Sequence, residues 1–138
     1  MIREPILIDA GPIVALLAQD DANHQKCVEV SLEYAPPFRT TWAVLAESAW
    51  LLRSKRESIP RLMSYLSTGL IVCDELDAAA ASAIANLATS YADLRPDLAD
   101  LTLVYVAHRD QVATVFTLDR RDFSVYRDVA GKPFRLVP

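Results

Sequence analysis

Three short runs of apolar, largely β-branched residues recur along this chain with helix-like stretches between them, Ile6-Leu7-Ile8, Leu70-Ile71-Val72-Cys73 and Ala113 to Thr117, and Phe38 to Thr41 reads as a further short strand. Consecutive apolar positions, as opposed to alternating ones, mark strands covered on both faces, and strands that alternate with helices pair in parallel. The pattern predicts an α/β fold: a single domain over 1–138 with a mainly parallel central sheet of four to five strands flanked by helices on both faces. Phe134 to Val137 is the candidate fifth strand. Between the strands, Gly11 and Pro12 open a short helix over 13–18, and Asn23 caps one that runs from His24 to about Tyr34. Trp42 to Arg53 is helical, a further helix ends at Gly69, Leu76 to Ala92 is expected to be the longest helix, and Asp97 starts one that reaches about Asp110.

Whole function classes are excluded by composition. Only three glycines occur, Gly11, Gly69 and Gly131, so neither a dinucleotide fingerprint nor a P-loop nor a serine-hydrolase elbow can be written. His24 and His108 make no paired-histidine zinc signature, and Cys27 and Cys73 make no C-x-x-C. Two thiols in a chain that is 52% hydrophobic are expected to be buried and free, which points to a reducing compartment. The apolar run before Asp9 is too short for a secretion signal, and Ala78 to Ala88 is interrupted by Ser82 and Asn86, far short of the ~20 residues of a membrane span. A cytoplasmic, soluble protein is the expectation. The net charge of −4 argues against a broad basic face for nucleic acid, so any such contact is local and needs cations to neutralise its acidic groups.

In parallel sheets the ligand site lies beyond the carboxyl ends of the strands, and four acidic residues are expected there. Asp9 follows the first strand, Asp119 follows the fourth, Glu47 lies in the helix entered from the second, and Asp100 lies in the first turn of the helix that leads into the fourth. Asp9 and Asp119 also suit strand-ending turns. Asp97, three residues before Asp100, reads foremost as a helix cap, and Asp122 as part of a local turn around Phe123. Glu47 fits a structural role worst. Its helical neighbours Ala43, Val44, Trp50 and Leu51 form an apolar stripe in which an unpaired carboxylate costs several kcal/mol, so either an arginine or a divalent cation must offset it. Clustered carboxylates repel by roughly 1 to 4 kcal/mol per pair, and an all-oxygen ligand set selects Mg²⁺ or Mn²⁺. Ions held this way complete their coordination with substrate phosphates, which makes phosphodiester hydrolysis the leading chemistry. Arg120, Arg121 and Arg127 flank Asp119 and are candidates for holding a nucleic acid backbone.

The segments Ile6-Leu7-Ile8-Asp9-Ala10-Gly11, Thr41-Trp42-Ala43-Val44-Leu45-Ala46-Glu47, Asp97-Leu98-Ala99-Asp100 and Thr117-Leu118-Asp119-Arg120-Arg121-Asp122-Phe123 occur in this order across nearly the whole chain. In these the chain resembles PIN-domain ribonucleases, and within them the VapC-like toxins of prokaryotic toxin–antitoxin pairs. The resemblance implies a parallel sheet flanked by helices, Mg²⁺- or Mn²⁺-dependent endonucleolytic cleavage of RNA, a homodimer, and a small antitoxin that blocks the acidic pocket. It marks Asp9, Glu47, Asp100 and Asp119 as the catalytic, metal-holding set, and adds Thr117 as a supporting hydroxyl beside Asp97 and Asp122. Gly11 departs from the pattern, since many relatives carry Ser or Asn shortly after the first Asp; support for Asp9 is then expected from backbone or water.

Other Asp-after-strand chemistries fit poorly. A haloacid dehalogenase-type phosphatase needs a second Asp where this chain has Gly11, and a receiver-type phosphoacceptor needs an acidic pair and a placed lysine that are missing. A PIN-like module that binds RNA or protein with little catalysis is the remaining alternative, and four clustered carboxylates count against it.

Overall fold

A computed structural model describes residues 1–138. Its five strands are β1 (Ile6–Ile8), β2 (Phe38–Thr40), β3 (Ile71–Cys73), β4 (Thr114–Phe116) and β5 (Arg135–Val137). The sheet order is β3-β2-β1-β4-β5 and every pairing is parallel. Seven helices accompany them: α1 (Ala10–Leu17), α2 (His24–Glu33), α3 (Trp42–Leu51), α4 (Ser58–Ser67), α5 (Ala80–Ser90), α6 (Leu98–Asp110) and α7 (Arg120–Phe123). Every residue of β1 and β4 is buried, so helices cover both faces of the sheet at its centre, as the unbroken apolar runs require.

The chain steps outward from β1 to β3 and then crosses back to β4, so the strand order reverses between β1 and β4. At such a reversal the loops leaving two neighbouring strands part in opposite directions and leave a crevice above the carboxyl edge. Asp9 follows β1 and the segment 117–119 follows β4, so both stand at that edge.

Three expectations about helices are adjusted. The longest helix is α6, with 13 residues, and not the alanine-rich stretch, where α5 has only 11. Asp77 accepts the backbone N–H of Ala79 at 3.0 Å and holds the preceding residues in a turn, which delays the start of α5. The turn around Phe123 is helical, with Asp119 accepting the N–H of Asp122 at 3.1 Å as the cap of α7. Helix α1 likewise begins at Ala10, earlier than the expected 13, because Asp9 caps it.

Towards β3 one sheet face is open. There Arg39 of β2 grips Asp74 with two bonds of 2.8 and 3.0 Å and also contacts Asp110, while Arg109 reaches Asp74 at 3.2 Å and Asp110 at 2.9 Å. The two guanidinium groups hold the Asp110 carboxyl down at about 2, and they tie the end of α6 to the sheet edge. These acids are neutralised by arginine; those of the crevice are not.

Candidate metal centre

The first element of the site is the end of β1. Asp9 has extended backbone and accepts the N–H of Ala10 through Oδ1 at 2.8 Å, which starts α1, while its Oδ2 accepts the hydroxyl of Thr117 at 2.9 Å. The Thr117 hydroxyl oxygen in turn accepts the N–H of Asp119 at 3.0 Å. Support for Asp9 thus comes from backbone and from a threonine. Gly11 has its own reason to be glycine: a Cβ there would stand 3.3 Å from the Cβ of Leu118, so the absent side chain lets α1 lie against the segment that carries Asp119.

From α6 comes Asp100, 5% exposed, whose Oδ2 accepts the hydroxyl of the fully buried Tyr126 at 3.2 Å. Asp97 caps that helix, accepting the N–H of Asp100 at 2.8 Å, and is itself exposed. One carboxylate oxygen each from Asp100, Asp119 and Asp122 lie within 4.8 Å of one another. The structure therefore brings Asp122 into the cluster in addition to its place in a local turn. Asp9 and Glu47 stand beside that triad at electrostatic range.

Burial first, and then repulsion from Asp9 and Asp97, pushes the Asp100 carboxyl up to about 8. Asp9 is raised by burial, against the pull of its bonds from Ala10 and Thr117. Glu47 is raised by burial and then by the charges of Asp97, Asp9 and Asp119. Burial raises Asp122, with Asp119 adding to the effect. Desolvation raises Tyr126 too, reinforced by Asp100, so its proton stays on the hydroxyl and is donated to the carboxylate.

Glu47 does not lie in an apolar stripe as expected. Trp50 and Leu51 are 64% and 50% exposed, and only Val44 of the four neighbours is fully buried. The residue is half-buried, and its Oε2 is the one buried side-chain oxygen without a hydrogen-bond partner. No arginine answers it. None of Asp9, Glu47, Asp97, Asp100, Asp119 and Asp122 pairs with a Lys, Arg or His. An orphaned buried oxygen among like charges, in a donor set made only of oxygens, fits a hard divalent cation.

The flanking arginines are not equivalent. Arg120 bonds the carbonyl of Pro138, and Arg127 turns its Nη1 onto the carbonyls of Ser124, Val125 and Tyr126 at 2.7 to 3.1 Å, closing the end of α7. Arg121 is exposed and makes no side-chain bond. Sequence reasoning missed Tyr126. No spacing marks it, and its role comes from the T-shaped packing with Phe123 and Tyr91, ring centroids 5.1 and 5.0 Å away, that aims the hydroxyl at Asp100.

No family model matches the chain. Among curated proteins, Ribonuclease VapC26 of Mycobacterium tuberculosis is 27% identical to it over 135 residues, covering 96% of this chain and 100% of that protein. Among solved structures, that of Mycobacterium tuberculosis VapC20, a Sarcin-Ricin loop cleaving toxin, matches with a TM-score of 0.76 over 84% of this chain and 91% of that one. At 15% identity this second likeness speaks for the fold alone.

Proposed function

We propose, from the premise that the chain is a VapC-like PIN-domain protein, that it is an endoribonuclease dependent on Mg²⁺ or Mn²⁺ and the toxin of a toxin–antitoxin pair. Residues 1–138 would act as one nuclease domain. The observation that carries this is the Glu47 oxygen, buried and unpartnered among carboxylates that no cationic side chain neutralises. A catalytically silent binding module would have no reason to keep such a group, since an amide of the same shape would remove the repulsion.

Asp100, Asp119 and Asp122 would hold the ion, with Asp9 and Glu47 completing the acidic wall. A bound divalent ion supplies Lewis-acid activation of water and neutralises charge on the phosphodiester. The chain's own groups prepare the place. Thr117 fixes the rotamer of Asp9, Tyr126 that of Asp100, and the α7 turn sets Asp119 and Asp122 side by side. The cleft would take RNA, and a small antitoxin would compete for the same acidic pocket.

A homodimer is part of the proposal. A groove of about 590 Å³ between α5 and α6 is lined by Leu76, Ile84, Leu98 and Leu101, and Leu98 is 63% exposed. Cytoplasmic residence is supported by two free thiols, both pushed up to about 11 by burial; no helix is long and apolar enough to cross a membrane.

The test is RNA cleavage by the purified chain in Mg²⁺, in EDTA, and with Glu47→Gln, followed by 5′-end mapping of cellular RNA after brief induction. Cleavage that is abolished by both changes is expected; RNA binding without metal-dependent cleavage would favour the binding module.

A further inference from the structure

Helix α3 carries more than Glu47. One turn further on, about 4.5 Å along the axis, Trp50 projects into solvent with 64% of its surface exposed. Arg53 lies over it: its Cζ is 4.0 Å from the ring centroid, and its Nη1 donates to the Trp50 carbonyl at 2.9 Å. The guanidinium covers one face of the indole and leaves the other available to a planar guest. Lys55 and Arg56 follow in the same connection; Lys55 pairs with Asp20, whereas Arg56 is exposed and pairs with nothing. In a chain of net charge −4, Arg53, Lys55 and Arg56 stand here against Asp20 and Glu57, a local excess of one positive charge. The cleft at the other end of α3, beside Trp42, is mixed in charge, lined by Glu75 and Asp77 together with Arg109.

We propose that Trp50, Arg53 and Arg56 form a platform that stacks one unpaired base of single-stranded RNA and holds the adjoining phosphates beside the metal centre. An aromatic face backed by arginine accepts any base, since every base presents a π-face, so the platform contributes affinity and register and leaves sequence choice to other contacts. It rests on the ribonuclease reading and adds where the substrate is gripped.

The test is steady-state cleavage of a short mixed-sequence single-stranded RNA in Mg²⁺ by the parent, Trp50→Ala, Trp50→Phe and Arg56→Ala, with melting and sedimentation of each. Trp50→Ala is expected to raise KM by about 5- to 150-fold with the effect in KM and not kcat, and Trp50→Phe to recover most of the loss. Arg56→Ala should lower the salt dependence of binding by a slope of about one. In a Trp42→Phe background, RNA should quench the remaining indole fluorescence. A parent that cleaves RNA while Trp50→Ala keeps its KM overturns the platform and spares the ribonuclease reading; a parent that cleaves no RNA overturns both. If Trp50→Ala changes the sedimentation or the retention of a copurifying protein while KM stays put, the face belongs to a second copy or a protein partner, and the proposal fails.

Discussion

Thr117 donates its hydroxyl hydrogen to Asp9 at 2.9 Å although 108 residues separate them in sequence. The same oxygen accepts the Asp119 N–H, so one side chain fixes the acids that leave β1 and β4. Removing it with Thr117→Ala frees the Asp9 carboxylate to rotate and leaves the part-buried Asp119 N–H without its partner, a loss of about 1 kcal/mol in stability. Thr117→Ser is expected to restore both bonds. Cleavage should drop sharply in the alanine variant and recover in the serine variant; two variants with equal activity would remove Thr117 from the positioning role.

RNA products are expected to end in 5′-phosphate and 3′-hydroxyl, because activated water attacks phosphorus and the ribose 2′-hydroxyl takes no part. End-group analysis by ligation and phosphatase sensitivity checks this. A 2′,3′-cyclic phosphate would refute it.

Asp100→Asn keeps the shape of a carboxyl held at about 8 and removes the cost of bringing into the crevice a group that is ionised in the unfolded chain. In EDTA the variant should melt higher than the parent, by at least about 1 kcal/mol, and cleave far more slowly. Asp97→Ala removes the cap of α6, at a cost of about 1 kcal/mol, together with a charge that repels Asp100 and Glu47, so it should melt lower than Asp97→Asn, which removes the charge and keeps the cap. Thermal melts of the two Asp97 variants side by side separate charge relief from cap loss.

Metal-free stability should fall as pH rises from about 4 to about 8. Asp9, Glu47 and Asp100 have folded-state values raised above their unfolded ones, so over that interval the folded chain holds the extra protons and loses stability as they leave. Asp110, held at about 2, acts with opposite sign only in stronger acid. Mg²⁺ must bind the deprotonated acids, and its stabilisation should accordingly be larger at pH 8 than at pH 5. Melting curves across pH with and without Mg²⁺ measure both slopes.

A self-associating chain is expected from the exposed apolar groove between α5 and α6, and Leu98→Asp should shift it towards the monomer in sedimentation velocity at micromolar concentration. A parent already monomeric under those conditions would count against the dimer.

The sheet was legible because β1 and β4, buried on both faces, print themselves as unbroken runs such as Ile6-Leu7-Ile8. Asp9, Asp100 and Asp119 were legible as residues at strand ends and helix starts, where topology alone brings them to one edge. Glu47 was picked out for a partly mistaken reason. A helical wheel shows which neighbours a residue has but not whether they face core or water, and Trp50 and Leu51 face water. Tyr126 and the approach of Asp122 were invisible, because both depend on a one-turn helix too short to leave a periodicity.

Asp9, Asp97 and Asp119 each start a helix as well as standing at the crevice, whereas Glu47 caps nothing. Copies of this gene that drift after losing their activity should record that difference. At the three helix starts Asn, Ser, Thr or Gly can replace Asp at little cost, whereas other residues cost about 1 kcal/mol, so decay there would be slower and narrower in its choices. Position 47 is free of that duty, and its first neutral change also removes a buried charge. A silenced descendant would therefore be recognised less by a scatter of lost acids than by an apolar residue or amide at 47 above three intact caps.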